Sequence, residues 1–130
     1  MSEQSVRVLV FSDDVDTRQA VIDGVGVRAS KDSPSIEWTQ AATPFGVREL
    51  IEGRRHDLMI LDADASKEGG MSVARDLENT IEDLPPFILL ISRQQDEWLA
   101  TSFGAAATVL APIDPLALQE TVAEVLASIR

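Results

Sequence analysis

Short apolar segments alternate with amphipathic stretches along the whole chain, and this alternation restricts the fold more than any other feature of the sequence. Strictly alternating strands and helices form a parallel sheet with helices on both faces, joined by right-handed crossovers. The apolar segments predict strands at residues 6–11, 36–40, 58–62, 87–91 and 108–110. The stretches after them predict helices at about residues 16–28, 44–53, 70–81, 96–103 and from 115 onward.

The apolar content of each segment indicates where its strand lies in the sheet. Residues 58–61 and 87–91 are unbroken apolar runs, as expected of strands buried on both faces of a parallel sheet. Residues 36–40 are less apolar, which favours a position near a sheet edge. Five such units commonly form an α/β, flavodoxin-like (βα)5 fold with strand order 2-1-3-4-5. At 130 residues we expect a single domain over residues 1–130.

Asp62, at the end of the third predicted strand, is the candidate reactive residue. Open α/β sheets bind ligands outside the carboxyl ends of their strands, at the point where the strand order reverses. In the order 2-1-3-4-5 this point lies between strands one and three. Asp13 and Asp14 follow strand one and would therefore meet Asp62 in one crevice. Ser92 and Ala111, which follow strands four and five, would lie beside them.

Charge and composition exclude several classes of function. The formal net charge of −11 argues against direct binding to nucleic acid or to anionic membranes. The absence of cysteine excludes disulfides, thiolate metal sites and a cysteine nucleophile. The first residues do not form a basic and then apolar leader, and no apolar run reaches membrane-spanning length. We therefore expect a cytoplasmic protein.

In their order and spacing, these residues resemble the receiver domain of bacterial two-component response regulators. The resemblance covers nearly the whole chain. The family's phosphate-accepting aspartate matches Asp62, at the end of Asp-Leu-Met-Ile-Leu-Asp, and its glycine-closed loop matches residues 65–70. Ser92 matches the hydroxyl position after strand four. Phe-Gly-Ala at residues 103–105 is similar to the Ala-Gly-Ala that precedes the family's fifth strand.

The site departs from the family's pattern at three positions. The spacing to Arg18 aligns the family's acidic pair with Ser12 and Asp13, so a serine replaces one of the two acids. Ala111 stands where the family has a lysine before proline. Thr108 corresponds to the aromatic switch residue of the fifth strand. Two components of the family's usual switch are therefore missing.

The resemblance implies Mg²⁺ as the cofactor, held by oxygen ligands, which this ion prefers. The implied ligands are the carboxylates of Asp13 and Asp62 and the backbone carbonyl of Asp64, with Asp14 as a possible addition. The hydroxyl of Ser92 would contact the phosphoryl oxygens. Because protein catalysis of phosphoryl transfer is mainly positioning and charge neutralisation, the lost lysine matters.

The resemblance implies a stand-alone receiver that accepts phosphate at Asp62 from a histidine kinase or another phosphodonor. We expect no output domain after residue 130, and the signal is then expected to leave through a protein partner or a homodimer. Any enzymatic activity would be limited to forming and losing the phosphate at Asp62. Arg93 or Lys67 could replace the missing cation. The alternative is a pseudo-receiver, which keeps the fold and acts as a phosphorylation-independent interaction module.

A third hypothesis comes from another class of protein. Residues 62–66, Asp-Ala-Asp-Ala-Ser, also resemble the Asp-x-Asp-x-Thr motif of haloacid-dehalogenase-type phosphatases. There the second aspartate, here Asp64, is a general acid and base. The motif follows strand three instead of strand one, and the chain has no room for a cap domain, so the sequence disfavours this hypothesis.

The histidine and the two tryptophans of the chain are interpreted separately. His56, the only histidine, precedes the third strand on the side away from the crevice, which favours a structural or exposed role. Trp38 is expected to pack near the second strand. Trp98 lies beside the apolar stripe of the fourth helix and either covers the edge of the core or anchors a protein contact. The resemblance implies a partner surface that includes Trp98 and Thr108.

Overall fold

Five parallel strands form one sheet, in the order β2-β1-β3-β4-β5, in the computed structural model of this chain. The structure describes residues 5–64 and 70–129, and only the backbone of residues 70 and 71. The predicted fold class and strand order are confirmed. The elements are β1 (Ser5–Phe11), α1 (Val15–Val25), β2 (Ser35–Ala41), α2 (Pro44–Gly53), β3 (Leu58–Asp62), α3 (Gly70–Thr80), β4 (Phe87–Ile91), α4 (Glu97–Ser102), β5 (Ala107–Leu110) and α5 (Pro115–Ser128).

The sheet separates two apolar cores, because consecutive residues of a strand face opposite sides. In β1, Val8 and Val10 pack in the core that contains α1 and α5. Leu9 and Phe11 pack in the core that contains α2, α3 and α4. The same alternation runs through β3. Each fully buried side chain of this kind stabilises the fold by about 1.5–3 kcal/mol.

Two helices begin where their sequence signals predict. Thr43 precedes α2, and its hydroxyl accepts the Gly46 N–H at 3.0 Å. Asp114 precedes α5, and its carboxylate accepts the Leu116 N–H at 3.1 Å. In both helices proline occupies the first position, where its missing N–H would have no partner within the helix.

Apart from shifts of one residue in other elements, three helices differ from the sequence prediction. Helix α1 ends at Val25 instead of about residue 28, because Gly26 adopts φ +77° and its N–H bonds to the Ile22 carbonyl at 2.7 Å. The fourth helix starts with a 3-10 turn over Gln94–Asp96, so α4 itself is shorter than predicted. Ile129 continues the apolar spacing of Leu118, Val122 and Val125, but it is 42% exposed because α5 ends at Ser128.

The register of the central strands determines which side chains meet at the carboxyl edge of the sheet. Phe11 of β1 is paired with Leu61 of β3. Residues 12 and 62 therefore come next to each other at this edge. Since Phe11 and Leu61 face α2–α4, the alternation directs the next side chains towards α1 and α5. None of the described helices combines the length and apolar character needed to cross a membrane.

Candidate functional site

The carboxylate of Asp62 is half-buried at the carboxyl end of β3, and each of its oxygens accepts a hydrogen bond. The hydroxyl of Ser12 donates to Oδ2 at 2.7 Å. The backbone N–H of Asp64 donates to Oδ1 at 2.9 Å. A carboxylate held on both oxygens is fixed in orientation before any ligand arrives.

Ser12 is completely buried and is held by four hydrogen bonds. Its N–H donates to the Ala41 carbonyl at 3.2 Å, and its carbonyl accepts from Arg18 Nη1 at 2.6 Å. Its hydroxyl oxygen accepts the Asp14 N–H at 3.1 Å while donating to Asp62. The position where the family has an acid is therefore occupied by a fixed hydroxyl.

The two aspartates after β1 differ in what they do. Both are exposed. The carboxylate of Asp14 caps α1, where it accepts the Asp16 N–H at 2.9 Å and the Thr17 hydroxyl at 3.2 Å. Asp13 follows Ser12 directly, at the same edge of the sheet as Asp62. The Asp14 oxygens are engaged by the helix, as is usual for an N-cap aspartate.

The oxygen atoms at this edge are of the kind that Mg²⁺ takes. Within the described residues, no three acidic, histidine or cysteine side chains are grouped closely enough to hold a metal ion. The implied set needs only two carboxylates, those of Asp13 and Asp62, with the Asp64 carbonyl and water. Mg²⁺ is commonly bound by one or two carboxylates in this way. The residues present therefore fit the ion, with one acid fewer than the family has.

A cavity of about 430 Å³ opens beside Asp62 and Asp64, between the start of α1 and the loop before α5. Asp16, Thr17 and Ala20 of α1 line one wall, and residues 111–113 line the opposite wall. No basic side chain is among the described residues that line it. Ala111 contributes only a methyl group where a lysine would reach across.

The remaining predicted members of the site are Ser92 and the two candidate cations, Arg93 and Lys67. Ser92 follows β4 and is exposed. The guanidinium of Arg93 is paired with Asp96. Lys67, like the whole of the loop at residues 65–69, lies outside the described residues. The sequence prediction of a substitute cation thus has no support from the described side chains at this edge.

Trp98 and Thr108 lie on the surface predicted to receive a partner. Trp98 is 71% exposed, so it does not cover the edge of the core. Thr108 is half-buried on β5, the edge strand, where it pairs with Leu89. At the C-cap of α4, the centroid of the Phe103 ring lies 5.3 Å from the guanidinium carbon of Arg75. That Trp98 and Thr108 contact a partner stays a prediction.

His56 and Trp38 have structural roles, as predicted. His56 is 7% exposed, with Nδ1 3.2 Å from the Arg54 carbonyl and Nε2 2.8 Å from the Thr39 hydroxyl. Burial lowers the pKa of His56 below its ordinary value of 6.5. Trp38 packs on the core of α1 and α5 and donates its indole N–H to the Gly26 carbonyl at 2.9 Å. Neither residue lines the cavity at Asp62.

In the sequence alone, Ser12 is only a missing acid and Arg18 only marks a spacing. In the structure, the Ser12 hydroxyl bonds to the Asp62 carboxylate and Arg18 bonds to the Ser12 carbonyl. The available signal was the strand pairing, since a hydroxyl directly after β1 must face the residue that ends β3. That signal needs the register, which the sequence does not specify to one residue.

Comparison with known proteins identifies the family. No family model matches the chain. An uncharacterised response regulatory protein of Mycobacterium tuberculosis (strain CDC 1551 / Oshkosh) is 38% identical over 126 residues, which cover 96% of this chain and 94% of the relative. Its counterpart in strain H37Rv matches equally. The chain belongs to the response regulators. The resemblance noted in the sequence is therefore confirmed.

Solved structures agree on the fold of this response regulator. The chemotaxis response regulator CheY4 of Vibrio cholerae superposes with a TM-score of 0.78 at 20% identity, covering 95% of this chain and 100% of that one. The receiver domain of the Francisella response regulator 1452 gives 0.80 at 18% identity, covering 96% and 99%. At these identities the agreement concerns the receiver fold alone.

Proposed function

We propose that this response regulator accepts a phosphoryl group at Asp62, with Mg²⁺, and passes the resulting change to a protein partner. The observation that carries the proposal is the half-buried Asp62 carboxylate at the carboxyl end of the central strand, beside a cavity of about 430 Å³. That is the edge at which open α/β sheets place their chemistry. The cavity offers a donor direct access to the carboxylate.

The reaction needs little beyond positioning. One carboxylate oxygen of Asp62 forms a bond to phosphorus as the bond from phosphorus to the donor breaks, and the donor leaves with that electron pair. The bonds from Ser12 and from the Asp64 N–H orient the carboxylate beforehand. Such pre-orientation lowers the entropic cost of reaching the transition state.

The chain offers oxygen ligands for the ion. Asp13, Asp62 and the backbone carbonyl of Asp64 would hold Mg²⁺, and Asp14 could join them only by releasing the cap of α1. When bound, the ion would neutralise negative charge on the phosphoryl group. The hydroxyl of Ser92 would donate to a phosphoryl oxygen. We expect the phosphoryl donor to be a histidine kinase or a small phosphorylated metabolite.

A second function, a phosphorylation-independent interaction module, is favoured by a different observation. Ser12 occupies Oδ2 of Asp62 with a hydrogen bond of 2.7 Å, and no described residue of the cavity wall is basic. With Ala111 in place of the family's lysine, a phosphorylated Asp62 would find no charge partner among the described residues of this wall. A two-state switch moves only as far as such a difference in free energy allows. The Asp62 carboxylate would then only stabilise the unphosphorylated structure, through its hydrogen bonds to Ser12 and Asp64.

The test is incubation with Mg²⁺ and acetyl phosphate, with beryllofluoride in parallel, and mass spectrometry of the product. We expect one phosphoryl group on the peptide that contains Asp62, and none with Asp62→Asn or with EDTA. Asp64→Asn is the matched control, since it keeps the backbone N–H and carbonyl and should leave the adduct within about twofold. An unmodified Asp62 under all these conditions selects the interaction module.

The same Asp64 variant tests the phosphatase hypothesis. A haloacid-dehalogenase-type enzyme would hydrolyse p-nitrophenyl phosphate with turnover and lose that activity in Asp64→Asn, because its general acid and base is removed. We expect no sustained turnover from the wild-type protein. Turnover that disappears in Asp64→Asn would instead assign the chain to that chemistry.

A further inference from the structure

The buried hydroxyl of Ser12 joins Asp62 to the first turn of α1. We propose that Ser12 is a positioning residue, which holds the Asp62 carboxylate and couples its state to the start of this helix. The trigger for the coupling rests on the proposed phosphoryl chemistry. The coupling itself belongs to the resting protein and can be measured without any phosphodonor.

The direction of both hydrogen bonds is fixed by the groups involved. The Asp14 N–H can only donate, so the Ser12 oxygen accepts it at 3.1 Å. The single hydroxyl hydrogen of Ser12 is then directed to Oδ2 of Asp62 at 2.7 Å. The two bonds share one oxygen atom. A change in the bond to Asp62 therefore alters the bond to Asp14.

Asp14 continues the connection into the helix. It is the N-cap residue of α1, and its carboxylate accepts the Asp16 N–H and the Thr17 hydroxyl. A shift of the Asp14 backbone would therefore move the cap. Caps of this kind contribute substantially to the stability of a first turn. The carboxylate of Asp62 is thus three hydrogen bonds away from the first turn of α1.

The backbone of Ser12 cannot adjust to relieve a change at Asp62. Arg18 Nη1 holds its carbonyl at 2.6 Å, and the Ala41 carbonyl holds its N–H at 3.2 Å. Only rotation of the side chain remains. If a ligand or a new bond removes Oδ2 as an acceptor, the fully buried hydroxyl has to turn to another one, because an unsatisfied buried donor is costly.

A double-mutant cycle tests the coupling. Asp62→Ala and Ser12→Ala are made singly and together, and amide hydrogen exchange of Asp14 and Asp16 is followed by NMR. In the wild-type background we expect Asp62→Ala to speed exchange at Asp14 by roughly three- to tenfold, the range for loss of a modest hydrogen bond. In the Ser12→Ala background the same change should alter it by less than about twofold, since the link is already broken.

Two variants guard against a merely structural effect. Ser33→Ala removes another buried hydroxyl, which pairs with Ser30 at 2.8 Å away from the site, and should leave the response of Asp14 to Asp62→Ala unchanged. Ser12→Thr keeps a hydroxyl and should retain the response. If Ser12→Ala does not fold, Ser12→Gly supplies the background without a hydroxyl. Equal responses in the wild-type and Ser12→Ala backgrounds, or no response in the wild type, would overturn the proposal.

The outcome is separable from that of the phosphorylation experiment, because the cycle uses no phosphodonor. A coupled cycle with an unmodified Asp62 would retain Ser12 as a positioning residue and reject the phosphoryl chemistry. An adduct at Asp62 together with an uncoupled cycle would retain the phosphoryl chemistry and reject the coupling through Ser12.

Discussion

The guanidinium of Arg93 is paired with the carboxylate of Asp96, with Nη2 3.2 Å from Oδ1 and Nε 3.3 Å from Oδ2. Arg93 directly follows Ser92 and is one of the two cations, with Lys67, that the sequence offers as a substitute for the missing lysine. An exposed pair of this kind is worth less than about 1 kcal/mol, so it can be broken at little cost. In the resting protein, however, its charge is directed at α4 instead of Asp62.

The cavity beside Asp62 therefore predicts the effect of restoring a cation. Ala111→Lys places an ammonium group in reach of the carboxylate and of any phosphoryl group on it. A charge pair at ~4 Å is worth roughly 4 kcal/mol at an effective dielectric of 20, before the cost of desolvation. Allowing for that cost, we expect the half-life of the Asp62 adduct to rise at least about threefold, measured by mass spectrometry after removal of the donor.

Ala111→Met is the control for this experiment, because it fills the same space without a charge. It should leave the half-life of the adduct near that of the wild type. Equal effects of the lysine and the methionine would mean that filling the cavity matters and its charge does not.

The exposure of Trp98 predicts that its removal weakens association but leaves the stability of the fold nearly unchanged. Because its side chain is 71% exposed, we expect Trp98→Ala to change the free energy of unfolding by no more than about 0.5 kcal/mol. If Trp98 anchors a homodimer, the same change should weaken self-association at least about tenfold, measured by sedimentation equilibrium. Phe45→Ala is the matched control, since Phe45 is 68% exposed on a different helix, α2.

A large loss of stability in Trp98→Ala, with self-association unchanged, would contradict the role of Trp98 as an anchor. If the wild-type protein stays monomeric, the same comparison is made for capture of a protein partner, with the wild type and the two variants in parallel.

The burial of His56 predicts that part of the free energy of unfolding depends on pH. Burial lowers its pKa in the folded protein below 6.5, so the unfolded chain binds the proton more readily. The contribution of His56 is therefore fully present above pH 6.5 and is lost as the pH falls from 6.5 towards the lower, folded pKa. We expect urea unfolding to show a larger fall in stability between pH 7.5 and about 5.5 for the wild type than for His56→Gln.

The comparison with His56→Gln is needed because the many carboxylates of the chain also titrate in acid. A glutamine has no proton to gain in this range and can still bond to Thr39 or to the Arg54 carbonyl. An identical pH dependence in the two proteins would show that protonation of His56 is not linked to unfolding.

Elements whose signal is local could be predicted from the sequence. Thr43-Pro44 and Asp114-Pro115 marked the starts of α2 and α5, because a cap and a proline act within one turn. The apolar run at Phe87–Ile91 became β4 with the same bounds. The position of Asp62 at the carboxyl end of the central strand followed from the alternation of strands and helices.

Features that depend on tertiary contacts could not be predicted. The early end of α1 depends on the conformation of Gly26, whose carbonyl accepts the indole N–H of Trp38. The bond between Ser12 and Asp62 joins residues 50 positions apart and requires the register of two strands. No periodicity within either segment carries that information.

Because the sheet has a core on each face, the geometry of the site depends on the number of residues in β3. Side chains of β3 project alternately, so that Met59 and Leu61 enter the core of α2–α4 while Leu58 and Ile60 enter the core of α1 and α5. Inserting one residue into this strand would turn the carboxylate of Asp62 towards the wrong layer, out of reach of Ser12. Insertion of a pair would restore its direction but carry it a further ~6.6 Å beyond the rim. Homologues that gain or lose residues here should therefore do so in the loops, leaving the strand itself at constant length.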